Sequence, residues 1–182
     1  MRRNRRHPRY TLKAGAREIL HLEMLRIRPA TIHDAALLRT MIRELAEFEH
    51  ALDFVTITAE ELARDGFEKP PRFRAFIAEW EGHAAGYALF FGYYSTWQGK
   101  GLFLEDLFVR QAFRGRGIGK ALLASVARIA VDERCYGIQW EVLDWNQKAI
   151  ELYSALGATF RDQWRPVLLT DEALRRLAEK AL

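Results

Sequence analysis

From residue 24 onward the chain switches repeatedly between two spacings of apolar residues. Leu25-Arg26-Ile27-Arg28 alternates residue by residue and predicts a first strand, stopped at Pro29. Thr31 with Asp34 three residues on is an Asp version of a capping box. Ala35, Leu38, Ile42, Leu45 and Phe48 then recur at the spacing of one helical face. After a loop from Glu49 to Ile57, Thr58 and Glu61 form a full capping box for a second helix that ends near Gly66. Residues 73–79 and 84–91 read as two strands of a hairpin turning at Glu81-Gly82, and 102–110 as a third strand. Leu122, Leu123, Val126, Ile129 and Ala130 mark a helix reaching about Glu133. A strand over 137–143, a helix from an Asn146 cap to Leu156, a strand over 164–169 and a helix capped by Thr170 complete the chain. Three strands able to form an antiparallel meander, followed by βα units, predict an α/β (mixed α+β) fold with helices packed on a mostly antiparallel sheet.

Composition alters this picture in few places. With 182 residues, 49% of them apolar, the chain is long enough for one domain with its own core, and the overall composition does not suggest disorder. Asp, Glu, Arg or Gly interrupts every apolar run, so no membrane partner is expected. A lone cysteine, Cys135, excludes an intramolecular disulfide; with no signal-peptide pattern it points to the cytoplasm. The five histidines show no paired ligand spacing, and no metal is expected. The net charge of +4 is uneven: residues 1–23 hold seven of the 28 basic residues and two of the 24 acidic ones, leaving 21 against 22 in the remainder. Residues 1–24 therefore read as a basic leader, disordered or preceding the true start at Met24, with the domain over 25–182 and nucleic acid not an expected partner.

The chemistry gathers between Leu102 and Gly119. The strand here is apolar and aromatic yet carries Glu105 and Asp106 at its middle. A basic, glycine-rich loop follows, Arg114-Gly115-Arg116-Gly117-Ile118-Gly119, running into a helix at Lys120. A strand, a loop rich in backbone N–H groups and a helix N-terminus together form an anion cradle. Two common nucleotide motifs fail: Arg114 and Ala121 stand where a P-loop needs glycine and a hydroxyl, and Gly115, Gly117 and Gly119 alternate where a dinucleotide fingerprint needs G-x-G-x-x-G. Adjacent strand residues point to opposite faces, so Glu105 and Asp106 are not expected to act as one paired carboxylate site.

Arg114-x-x-Gly117-x-Gly119 resembles the acyl-CoA pyrophosphate loop of the GNAT superfamily of N-acetyltransferases. Ile27-Arg28-Pro29-Ala30-Thr31, Glu44-Leu45-Ala46, Asp65-Gly66-Phe67, Leu104-Glu105-Asp106, Phe113-Arg114-Gly115, Trp145-Asn146 and Tyr153 with Gly157-Ala158 resemble the diamine (spermidine/spermine) acetyltransferase branch. The likeness covers about residues 25–175. It implies a sheet splayed at its centre, acetyl-CoA as co-substrate in the opening, a small-molecule amine as acceptor and a homodimer.

The resemblance also implies roles. Leu107, Phe108 and Val109 match the strand that offers main-chain groups to acetyl and pantetheine. Arg114, Gly115, Arg116, Gly117, Ile118, Gly119 and Lys120 match the pyrophosphate loop, and Asn146, Gln147, Lys148 and Ala149 a further cofactor contact. Tyr153 falls on the family's catalytic tyrosine, a phenol suited to protonating the departing thiolate. Glu105 is similar in position to the acid that meets the amine and is the candidate for assisting its deprotonation. Phe48, Glu49, Asp106 and Asp162 complete the substrate-side set; Phe48 stands where the family commonly has tyrosine. The expectation is an acetyl-CoA-dependent N-acetyltransferase acting on a small di- or polyamine. Two rivals are an enzyme for an amino-acid or thialysine-like side chain, and a non-catalytic CoA-binding or nucleic-acid-associated module.

Overall fold

A computed structural model describes residues 24–181, so residues 1–23 of the basic leader lie outside the described residues. The described residues fall into two compact units that part between Glu141 and Val142.

The first unit holds a five-stranded sheet in the order β1 (Leu25–Pro29), β2 (Arg74–Trp80), β3 (His83–Ser95), β4 (Gly99–Val109), β5 (Ile138–Gln139). The first four strands pair antiparallel, and β5 joins β4 in parallel. The hairpin forms as the sequence predicts: Glu81 and Gly82 both have positive φ, the conformation whose twist suits a two-residue connection. At Gly86 the strands approach so closely that a Cβ would collide with the carbonyl oxygen of Phe108.

Helices cover both faces. α1 (Ala35–Phe48) and α2 (Ala59–Phe67) close one face through a core of Leu38, Met41, Leu62, Ile77, Tyr87, Leu89 and Phe108. The α1 stripe is displaced from its expected position. Ala35, Leu38, Met41 and Ala46 are fully buried, whereas Ile42 and Leu45 are only partly so. The Thr58 hydroxyl oxygen accepts from the Glu61 amide and the Glu61 carboxylate accepts from the Thr58 amide, completing the expected capping box. α3 (Ile118–Asp132) packs across β2, β3 and β4 through Ile118, Leu122, Leu123 and Val126.

In the second unit, α4 (Gln147–Ala155) starts at Asn146, whose side chain accepts from the Ala149 amide, and stops before Gly157 at φ 82°. α5 (Asp171–Ala178) follows Thr170 as expected, but the Thr170 side chain makes no capping hydrogen bond. Two strand expectations are corrected. Residues 164–169 form no strand: Pro166 lacks the N–H that a ladder needs, and Val167 and Leu168 are exposed. The strand expected over 137–143 shrinks to Ile138–Gln139, because its pairing with β4 ends there. None of the described helices is long and apolar enough to cross a membrane.

One charged residue is sealed into the α1 entry. Asp34 accepts from Arg28 at 2.7 and 2.8 Å and from the Thr31 amide at 2.7 Å, and Arg28 also reaches Glu79 at 2.6 Å. The Arg28 bonds outweigh burial and hold the Asp34 carboxyl at about 2, below its ordinary 3.8. A lowered carboxylate contributes stability above its unfolded pKa and loses it as pH falls through the folded one. Asp34→Asn should therefore cost roughly 1–2 kcal/mol at neutral pH. In urea unfolding, the gap to wild type should narrow between about pH 4 and pH 2; a gap that stays constant would contradict this account.

Candidate active site

The geometry starts in β4. Leu89 pairs with Asp106 and Phe90 with Leu104, so Glu105 is an extra residue, the centre of a β-bulge. The bulge reverses the parity of the strand. Asp106 shares a face with Leu89, and Phe108 with Tyr87, on the side closed by α1 and α2. Leu104 instead pairs with Phe90 and faces the other way. The β4–β5 ladder consists of Leu102 with Ile138 and Phe103 with Gln139. From Leu104 to Val109 the outer edge of β4 is therefore not laddered to β5.

Three carboxyls gather around the bulge. Asp106 accepts a 2.8 Å hydrogen bond from the hydroxyl of Tyr87, itself fully buried. Burial pushes the Asp106 carboxyl up to about 6; the Tyr87 bond works against this, and the negative charges of Glu105 and Glu49 add to it. Burial raises the Glu49 carboxyl. Glu105 is largely exposed, yet enough protein surrounds its carboxyl that burial, with Glu141 second, raises it too. Tyr87 is held well above the ordinary phenol range by burial and by Asp106.

The loop after β4 leaves through a 3₁₀ turn at Gln111–Phe113 and enters α3 at Gly117. Gly115 and Gly117 have φ of 78° and 71°, conformations that side-chain-bearing residues resist. A Cβ at Gly115 would meet nothing within 4 Å, so a ligand can approach the backbone there. No side chain caps α3, and its first-turn amides at Ile118, Gly119 and Lys120 precede the first helical bond, Ala121 to Gly117. These donors fit an anionic pyrophosphate. The Ile118 side chain is buried in the core, so only its amide can serve.

The basic side chains lie differently from a simple phosphate clamp. The Arg114 guanidinium sits 4.7 Å above the Phe48 ring and its Nε donates to the Val109 carbonyl at 2.9 Å. Arg116 lies 5.0 Å from the Trp80 ring, and Lys120 is exposed. The structure thus brings Phe48, Glu49, Glu105, Asp106, Leu107–Val109 and the glycine loop into the first unit. Asn146, Gln147, Lys148, Ala149, Tyr153 and Asp162 belong to the second. There, Asn146 caps α4, Gln147 donates to the Asp144 carbonyl at 3.2 Å, and Tyr153 is buried, which raises its phenol. Asp162 lies in an irregular exposed stretch.

Sequence reasoning missed Tyr87 and Arg110. A tyrosine inside an apolar strand was the available signal for the first, since a buried phenol needs a partner. Arg110 grips Glu44 at 2.7 and 2.8 Å and the Ala84 carbonyl at 2.9 Å, a contact across 66 residues that no local pattern announces.

Residues 37–158 match the acetyltransferase (GNAT) family. The chain belongs to the GNAT acetyltransferase family. Thialysine N-epsilon-acetyltransferase of Sus scrofa is 41% identical over 165 residues, covering 85% of this chain and 97% of that protein. Spermidine/spermine N(1)-acetyltransferase-like protein 1 of Homo sapiens is 36% identical over 144 residues, 75% of this chain and 21% of that one. Among solved structures, aminoglycoside N-acetyltransferase AAC(6')-Iy in complex with CoA shares the fold at TM-score 0.61 and 22% identity, covering 81% of this chain and 95% of that chain. This GNAT protein is accordingly an N-acetyltransferase that uses acetyl-CoA, with the mixed sheet and flanking helices of its family.

The Asp106–Tyr87 pair yields a titration test. Tyr87→Phe removes the bond that favours the carboxylate, so Asp106 should titrate higher than its wild-type value of about 6. Carboxyl carbon shifts followed by NMR would measure both midpoints; an unchanged or lower value in the variant would refute the pairing.

Proposed function

We propose that this GNAT N-acetyltransferase acetylates a primary amine of a small di- or polyamine by direct attack, in the cytoplasm and as a homodimer. The observation that carries the reading is the acidic wall. Glu49, Glu105 and Asp106 act on one region at the β4 bulge, and burial raises all three, so a bound alkylammonium would relieve their mutual repulsion. Of the relatives' names, that of the spermidine/spermine-like protein points the same way, whereas that of the thialysine enzyme favours the second reading below.

Acetyl-CoA supplies the acyl group as an activated thioester. In this reading the β4 backbone near Leu107 orients the thioester carbonyl, and the α3 amides with Gly115 and Gly117 hold the pyrophosphate. Glu105, solvent-accessible and raised in pKa, takes the proton from the ammonium, directly or through water, because only the neutral amine attacks. Tyr153 retains its proton at neutral pH and donates it to the leaving sulfur. Asn146, Gln147, Lys148 and Ala149 add cofactor contacts at the start of α4, and Phe48, Glu49, Asp106 and Asp162 line the amine side.

A second reading, acetylation of an amino-acid or thialysine-like side chain, is favoured by the name of the thialysine relative and by one feature of the structure. Arg114 stands over Phe48, next to Glu49, where a cation could meet a substrate carboxylate. Incubation with acetyl-CoA and a panel of polyamines, diamines, lysine analogues and aminoglycosides, with products identified by mass, separates the two. Acetylated polyamine is the expected product; efficient modification of lysine analogues alone would overturn the first reading. Tyr153→Phe should lower kcat about 10²–10⁴-fold with little change in CoA affinity, and a fully active variant would remove the phenol from the mechanism.

A further inference from the structure

Two of the three arginines that follow β4, Arg110 and Arg114, turn toward α1. Arg110 makes the bidentate bond to Glu44 and also holds the Ala84 carbonyl, fixing the last turns of α1 to the sheet. One turn beyond Glu44, Phe48 ends the helix, so its ring is a platform whose position relative to Val109 is set. Arg114 rests on that platform: its Nε is committed to the Val109 carbonyl at 2.9 Å and its guanidinium lies 4.7 Å above the Phe48 ring. Immediately after Arg114 come the two glycines with positive φ, whose backbone presents the loop to an anion. One side chain therefore ties together the end of β4, the end of α1 and the start of the glycine loop.

We infer that Arg114 is a positioning residue that couples the acetyl-CoA loop to the amine-side wall, with Phe48 as the platform that holds it. Arg114 restricts where the loop begins, so the first-turn amides of α3 are pre-arranged before the cofactor arrives. Coupling of this kind is reciprocal: if the ordered Phe48 platform favours bound CoA, bound CoA favours that ordered position of Phe48 by the same factor. Any consequence for the amine rests on Phe48 lining the amine site; the consequence for CoA does not.

The test is calorimetric and uses CoA without any amine, so it stands even if the acceptor is a different molecule. Phe48→Leu, which deletes the ring and keeps an apolar side chain, should weaken CoA binding about two- to fivefold, the scale of a surface cation–π contact. Phe48→Tyr should retain wild-type affinity, because the platform is preserved. In an Arg114→Gln background, Phe48→Leu should cause no further loss. Thermal melts check that each variant folds, and Phe48→Met takes the place of Phe48→Leu if that one does not. Unchanged CoA affinity in Phe48→Leu would overturn the inference, and so would an equal loss in both backgrounds, since Phe48 would then act without Arg114.

Discussion

The site depends on one extra residue in a strand. Without the bulge at Glu105, strict alternation would carry Leu104 and Asp106 to the same face of β4. With it, Leu102 and Leu104 remain on one side, while Asp106 and Phe108 turn toward Tyr87 and the helices α1 and α2. The same region of β4 is where its ladder to β5 has ended, after Phe103. A bulge that redirects a carboxylate and an edge that offers backbone groups therefore occur together, and the glycine loop begins a few residues beyond them.

Charge is treated differently in the frame and in the site. Asp34 and Glu133 lie against arginine, and Glu133 against Lys100 as well; hydrogen bonds to those partners hold both carboxyls below their ordinary values. Glu49, Glu105 and Asp106 are shifted the opposite way, with burial the leading cause in each. Crowded, part-buried carboxylates are costly for the empty protein and favourable toward a cation. The Tyr87 hydroxyl offsets part of that cost for Asp106 without neutralising its charge.

The arginines after β4 show how rigidity reaches the site from the frame. Arg110 binds α1 through Glu44, and Arg114 lies on the ring that closes the same helix. The end of α1 and the glycine loop thus share supports, although the chain separates Phe48 from Gly115 by most of the sheet.

The local rules in the sequence accounted for most of the frame. The Thr58–Glu61 box, the Asn146 cap, the Glu81-Gly82 turn and the uncapped glycine entry to α3 depend on residues a few positions apart, and each forms as its sequence predicts. The family was legible for the same reason, because its glycine-rich loop is a contiguous motif. Features that depend on partners distant in sequence were not legible. The 164–169 segment has a strand's aromatic and apolar character, but a strand requires a neighbour as well as a propensity. The displaced α1 stripe, the Asp106–Tyr87 bond and the Arg114–Phe48 contact likewise arise only when segments 19 to 66 residues apart are packed together. The sequence by itself determined most of the local elements and the cofactor this chain uses. Tertiary structure decided which carboxylate is buried and which arginine braces the site, because bulge register and long-range packing are cooperative properties of the whole sheet.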